Sequence, residues 1–140
     1  MRTYLVIIDE NPEAEIAVRF AARRAAKNGG GVRILALVPP AEFVQWGGVQ
    51  ATMEDEARLR AEALVTGAAG TLMQESGVRP TFTVQSGDPI AVIRKIIEQD
   101  NSIAALVLGA ASSGHPGPLV SHFAGAEAGK LRCPIMIIPG

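Results

Sequence analysis

The stretch YLVIIDENPEAEIAVRFAARRAAKNGGGVRILALV, residues 4–38, decides the fold. Tyr4 to Ile8 is an unbroken apolar run that stops at Asp9. Such a run reads as a strand buried on both faces. Asn11-Pro12-Glu13 reads as a helix start: Asn suits the cap, Pro the first helical position, and Glu13 and Glu15 the positive end of a helix. Gly29-Gly30-Gly31 stops that helix near Asn28, and Val32 to Val38 is a second apolar run. A strand, a helix and a second strand in this order make a parallel unit with its helix as the crossover.

Downstream the same alternation continues. Pro39-Pro40 ends the second strand, and Ala41 to Gln50, with Phe43, Trp46, Gly47 and Gly48, has no clean period and reads as a loop. Thr52 and Asp55 resemble a capping box, after which Ala57, Ala61, Leu64, Ala68 and Leu72 recur at helical spacing as far as Ser76-Gly77. Gly67 and Gly70 inside this helix suggest close packing, since each is unfavourable there without a reason. Thr81 to Ser86 alternates polar and apolar, as a half-buried strand does. Asp88 caps a third helix with Pro89 in its first turn and Ile90, Ile93, Ile96 and Ile97 as its buried stripe. Ala104 to Leu108 is a fourth strand, Gly109 to Gly117 (GAASSGHPG) a small-residue loop, Pro118 to about Leu131 a fourth helix, and Ile135 to Ile138 a fifth strand.

Strands alternating with helices predict one α/β domain over residues 1–140: an open, twisted five-stranded parallel sheet with helices on both faces. Two strand orders compete, 2-1-3-4-5 and 3-2-1-4-5. The alternating third strand suits an edge, and the first and fourth read as fully buried, which favours 3-2-1-4-5. In that order the sheet reverses between the first and fourth strands, where ligands bind beyond the carboxyl ends. The segments beginning at Asp9 and at Gly109 meet there.

Composition narrows the function. Hydrophobic residues at 48% and charged residues at 19% exclude a disordered chain. A net charge of −1 lacks the basic surplus of a protein that neutralises nucleic-acid phosphates. A single cysteine, Cys133, excludes an internal disulfide and a cysteine zinc cluster, and reads as a small buried apolar residue. No apolar run is long enough to span a bilayer, and the first residues lack a signal-peptide pattern, so a cytoplasmic protein without a membrane role is expected. The chain has no GxxxxGK[ST], no GxGxxG after the first strand, and no lysine ending the fifth strand as a response-regulator receiver needs.

The Gly109 loop carries the most chemical information. Glycines allow close backbone approach, and amides at the start of the next helix favour anions. Ser112, Ser113 and Ser121 add hydroxyls; a plain strand-to-helix turn would use the same residue types. No Lys or Arg lies between Lys95 and Lys130. Asp9, at the reversal point, suits hydrogen bonds to a base or ribose, or a capping role. His115 and His122 flank the loop without a nucleophile or ligand cluster, so neither a triad nor a metal site is expected.

Taken together, the run ending in Asp9, the segment QSGDPIAVIRKII, the sequence LVLGA before the glycine loop, and the ending CPIMIIP resemble the universal stress protein family. The resemblance covers nearly the whole chain. It implies an adenine nucleotide alpha hydrolase-like fold and adenine and ribose contacts at Ile8, Asp9, Val38, Leu108 and Gly109. The family's nucleotide-binding branch carries Gly-x-x-Gly, a spacer, then Gly followed by Ser or Thr. Gly109 matches the first glycine, but Ser112 occupies the place of the second. The nearest complete Gly-x-x-Gly is Gly114 to Gly117. Seven residues then precede Gly125, fewer than the family spacing, and Ala126 follows it instead of a hydroxyl residue. Phosphates would meet Ser112, Gly114, Gly117, Ser121 and Gly125, with the distal ones held least.

The resemblance implies a small stress-response regulator that binds ATP or AMP, with magnesium accompanying ATP, and that forms a homodimer through Ile135 to Ile138. The alternatives are a dimeric interaction module that binds no nucleotide, and a weak ATP hydrolase. Hydrolysis would need a general base, for which only Asp9 and His115 are placed.

Overall fold

The computed structural model describes residues 2–38 and 47–140, with residues 47–53 described by backbone alone. The elements run β1 (Thr3–Ile8), α1 (Pro12–Asn28), β2 (Gly31–Val38), α2 (Gly47–Ser76), β3 (Thr81–Ser86), α3 (Pro89–Gln99), β4 (Ile103–Ala110), α4 (Pro118–Phe123), a 3-10 turn (Ala128–Lys130) and β5 (Ile135–Pro139). All pairings are parallel and the order is β3-β2-β1-β4-β5, as the alternation of β3 predicted. β3 and β5 are therefore the edges.

The unbroken apolar run Tyr4 to Ile8 in β1 has a direct cause: every residue of this central strand, with Thr3 at its start, is buried. Tyr4, Val6 and Ile8 pack under α1 and α2 with Val32, Ile34 and Val107. Leu5 and Ile7 face the opposite way, under α3 and α4, with Ile93, Ile97, Leu106 and Phe123. Fully burying one such aliphatic side chain is worth about 1.5–3 kcal/mol. The sheet-facing side of α1 is made of Ala14, Ala17, Val18, Ala21, Ala22 and Ala25, short side chains that let the helix axis lie close to the strands. The Asp88 carboxylate caps α3 by accepting the Ala91 N–H at 2.9 Å, as expected. Ile93, Ile96 and Ile97 are buried and Ile90 packs beside them.

Three expectations fail. The second helix begins at Gly47, so Gly47 to Gln50 is helical and Thr52 lies inside a helix instead of capping one. Residues 41–46, with Phe43 and Trp46, fall outside the described residues. Gly67 and Gly70 do not mediate close packing: a side chain at either would meet open space. The fourth helix ends at Phe123, not near Leu131. Behind Phe123 come Ala124 to Ala126, exposed residues with no apolar stripe to bury. Gly125 makes the tight turn, since a side chain there would stand 2.8 Å from the Ser121 carbonyl oxygen.

The amino ends of the strands are tied together by polar contacts. Asp100 accepts from the Ser102 hydroxyl at 2.6 Å and from Arg33 at 3.2 Å. The Arg132 guanidinium donates to the carbonyls of Ile97, at 2.6 Å, and Asp100, at 2.8 Å, where α3 ends. Asn28 Nδ2 donates to the Tyr4 hydroxyl at 2.7 Å. Among the described residues no helix is long and apolar enough to cross a membrane.

Candidate functional site

At the carboxyl ends of the strands three cavities converge on one short segment. One, of about 490 Å³, opens between α1 and α2 and is walled by Val18, Leu64, Ala68 and Leu72. A second, of about 350 Å³, lies over the ends of β1 and β2, against Ala36, Leu37, Ala57, Ala61 and Leu64. A third, of about 100 Å³, lies over β1 and β4, between Leu108, Gly109, Glu13 and Gly117-Pro118. Asp9 and Asn11 line all three. The last two flank the β1–β4 reversal, where an open α/β sheet leaves a crevice because its crossovers diverge to opposite sides.

Asp9 is exposed, and its Oδ1 accepts the Asn11 N–H at 2.8 Å. The Asn11 carbonyl in turn accepts the Ala14 N–H at 3.1 Å. Asn11 is the cap position of α1, but its side chain makes no capping bond; the Asp9 carboxylate organises the turn instead. The capping reading of Asp9 holds in altered form: one oxygen shapes the turn before α1, and the residue lines all three of these cavities. Nearby cations are engaged. Arg60 stands 3.9 Å from Glu10, and Arg19 lies 3.2 Å from Glu15 and 3.3 Å from Glu75.

The other sequence-chosen residues separate into three groups. Ile8, Leu108, Gly109 and Gly117 line the cavities with Asp9. Val38 is buried in the core beneath α1 and α2, and its carbonyl accepts the Gly87 N–H at 3.3 Å. Ser112, Gly114, Ser121 and Gly125 line none of these cavities and are exposed. The loop closes on itself where the Ala111 N–H donates to the Pro116 carbonyl at 3.1 Å, which lifts Ser112 to His115 outward. Gly114 and Gly117 take positive φ, 74° and 118°, so their glycines serve the loop's path. Gly109 has another reason to be bare: a side chain there would run into the backbone of Glu13, because the first turn of α1 rests on the end of β4. His115 is exposed, and His122 packs edge-on against Phe123 with ring centroids 5.1 Å apart.

The sequence gives Asn11 only a capping role and Leu64 only a place in a helical stripe, and it does not single out Arg60 or Pro116. Leu64 and Arg60 carried a usable signal, since both share the helical phase of Ala57, Ala61 and Ala68 on α2. Cys133 is buried, and burial pushes its thiol pKa up, which keeps it protonated and chemically quiet. Among the described residues no three His, Cys, Asp or Glu side chains gather to hold a metal ion.

Comparison with solved structures returns the same architecture. Universal stress protein UspA from Lactobacillus plantarum aligns with a TM-score of 0.82 at 17% identity, covering 98% of this chain and 97% of that one. A universal stress protein from Archaeoglobus fulgidus, solved in complex with dAMP, aligns with a TM-score of 0.63 at 16% identity, covering 99% and 98%. A universal stress protein family protein from Arabidopsis thaliana, solved with AMP bound, gives 0.61 at 16% identity, covering 99% and 92%. At these identities the likeness is one of fold. No curated protein matches the chain significantly. The model of the universal stress protein family, however, matches residues 1–139, and the chain belongs to that family.

Proposed function

We propose that this protein binds an adenine nucleotide or nucleoside across Asp9 and acts as a regulator through its bound state. The observation that carries this reading is the convergence of the cavities on Asp9 and Asn11 at the β1–β4 reversal. The 350 Å³ cavity, with Ile8, Ala36, Leu37, Ala61 and Leu64, offers apolar walls to a planar base. The Asp9 carboxylate at its rim is an acceptor for the hydroxyls of a ribose. Related folds solved with dAMP and with AMP support the choice of ligand class. The phosphate end fits less well. Its cavity is small, and no Lys or Arg lines it, so magnesium would be needed beside ATP to offset the charge.

Protein purified from the cell tests the reading. Absorbance at 260 nm in excess of the protein's own, traced by mass to an adenine compound, is the expected result. Protein free of nucleotide that also fails to bind added adenosine, AMP or ATP would overturn it.

A second copy of the chain is the proposed partner. β5 is an edge strand with unpaired backbone groups, and Ile137 on it is 42% exposed. An apolar edge of this kind favours pairing with its own copy.

A further inference from the structure

We infer that Glu13 makes this site select against polyphosphates, so that adenosine and AMP are preferred over ATP. The inference rests on the adenine-binding reading above and specifies the ligand within it. Glu13 lies on the first turn of α1 and lines the 100 Å³ cavity together with Asp9. Its position is fixed by close contacts. The Glu13 backbone fills the space that a Gly109 side chain would need. A side-chain carbon on Gly140 would stand 3.1 Å from the Glu13 Cβ and 3.6 Å from the Ser112 amide nitrogen. Glu13 therefore stands where the first turn of α1 meets the ends of β4 and β5, in the wall of the cavity that would take the phosphates.

Among the described residues no fixed cation lines this cavity beside Glu13. The cavity wall contains two carboxylates, of Asp9 and Glu13, and no Lys or Arg. The arginines that line the neighbouring cavities, Arg19 and Arg60, face Glu15, Glu75 and Glu10. The attraction on the other side is weak: α4 has only six residues, so little helix dipole points at the loop. Each added phosphoryl group brings negative charge toward a negative wall in a partly desolvated crevice, where like charges repel more strongly than in water. Adenosine brings none, and its ribose hydroxyls gain Asp9 as an acceptor.

Calorimetric titration of the full chain with adenosine, AMP and ATP, in EDTA, decides the matter. ATP is expected to bind at least about tenfold more weakly than AMP, equivalent to about 1.4 kcal/mol. Glu13→Gln is expected to shrink that ratio at least about threefold while adenosine affinity stays within about twofold, since only the charge facing the phosphates is removed. Glu98→Gln removes an exposed carboxylate of α3 that lines none of these cavities, and should leave the ratio unchanged. The inference is overturned if ATP binds the native chain as tightly as AMP, or if Glu13→Gln leaves the ratio where it was. Failure of all three ligands to bind overturns the adenine reading itself, and this inference with it.

Discussion

A methyl group on Gly109 would stand 2.7 Å from the Glu13 carbonyl carbon, so Gly109→Ala must push the first turn of α1 away from β4. Overpacking of this kind costs about 1–3 kcal/mol, and urea denaturation should show that loss. An unchanged midpoint would mean that the two backbones are not in contact. Asp9 behaves differently. Asp9→Asn keeps an oxygen for the Asn11 N–H, so stability should change by less than about 1 kcal/mol. Adenosine affinity should fall, because the charged acceptor at the cavity rim is gone; a large stability loss with unchanged affinity would reduce Asp9 to a turn residue. Asp100 makes its contribution at the far end. The Ser102 hydroxyl holds its carboxyl below the usual value of 3.8, against the opposing effect of burial and with help from the Ser102 amide and Arg33. A lowered folded pKa stabilises the fold above the ordinary carboxylate range and loses that stabilisation as pH falls through the folded value. Asp100→Asn should therefore melt lower than the native chain at about pH 7, with the gap closing as pH falls below the ordinary carboxylate range and through the lowered folded value. A gap that persisted in acid would assign the effect to shape instead of charge.

At the scale of elements, Arg132 joins the end of α3 to the entry of β5. Its guanidinium reaches the carbonyls of Ile97, Asp100 and Ile103. Lysine keeps the charge but not the planar fork, so Arg132→Lys should cost roughly 1.5 kcal/mol, read as a lowered melting midpoint. A neutral result would show that solvent replaces these bonds without loss. The elements themselves were legible where burial imposes a pattern. The stripe of α3 identified that helix. The alternation of β3 identified a strand and its edge position, but burial does not enforce it: Phe82 is 52% exposed while Val84 packs against the core. Patterns failed where packing imposes none. Ala124 to Gly129 could continue a helix by composition, but it buries too little to hold one. The lining of the candidate crevice was legible at Asp9 and Gly109, which mark the ends of buried strands. It was not legible at Val38, because a strand's end does not reveal which face its last side chain takes. Nor was it legible at Ser112 and Gly114: whether their loop lies over the crevice or turns away depends on the Ala111–Pro116 hydrogen bond, which no spacing encodes.

For the whole molecule the main untested surface is the β5 edge. Pairing of two copies there would extend the sheet through main-chain hydrogen bonds and cover Ile137. Light scattering is expected to give a dimer mass at micromolar protein, and Ile137→Lys, which places a charge in the seam, is expected to give a monomer. A monomeric native protein, or a dimer unaffected by the substitution, would locate any contact elsewhere. The polar ties at the amino ends of the strands have a further consequence. Arg33, Asp100, Ser102 and Arg132 fasten the pole remote from Asp9, and the cavities occupy the other. Opening of a fold follows its least-anchored parts. The crevice end is therefore expected to open more readily than the opposite one, as a book moves at its pages and not at its spine; amide exchange faster from Asp9 to Glu13 than from Asp100 to Ile103 would show it, and equal rates would refute it.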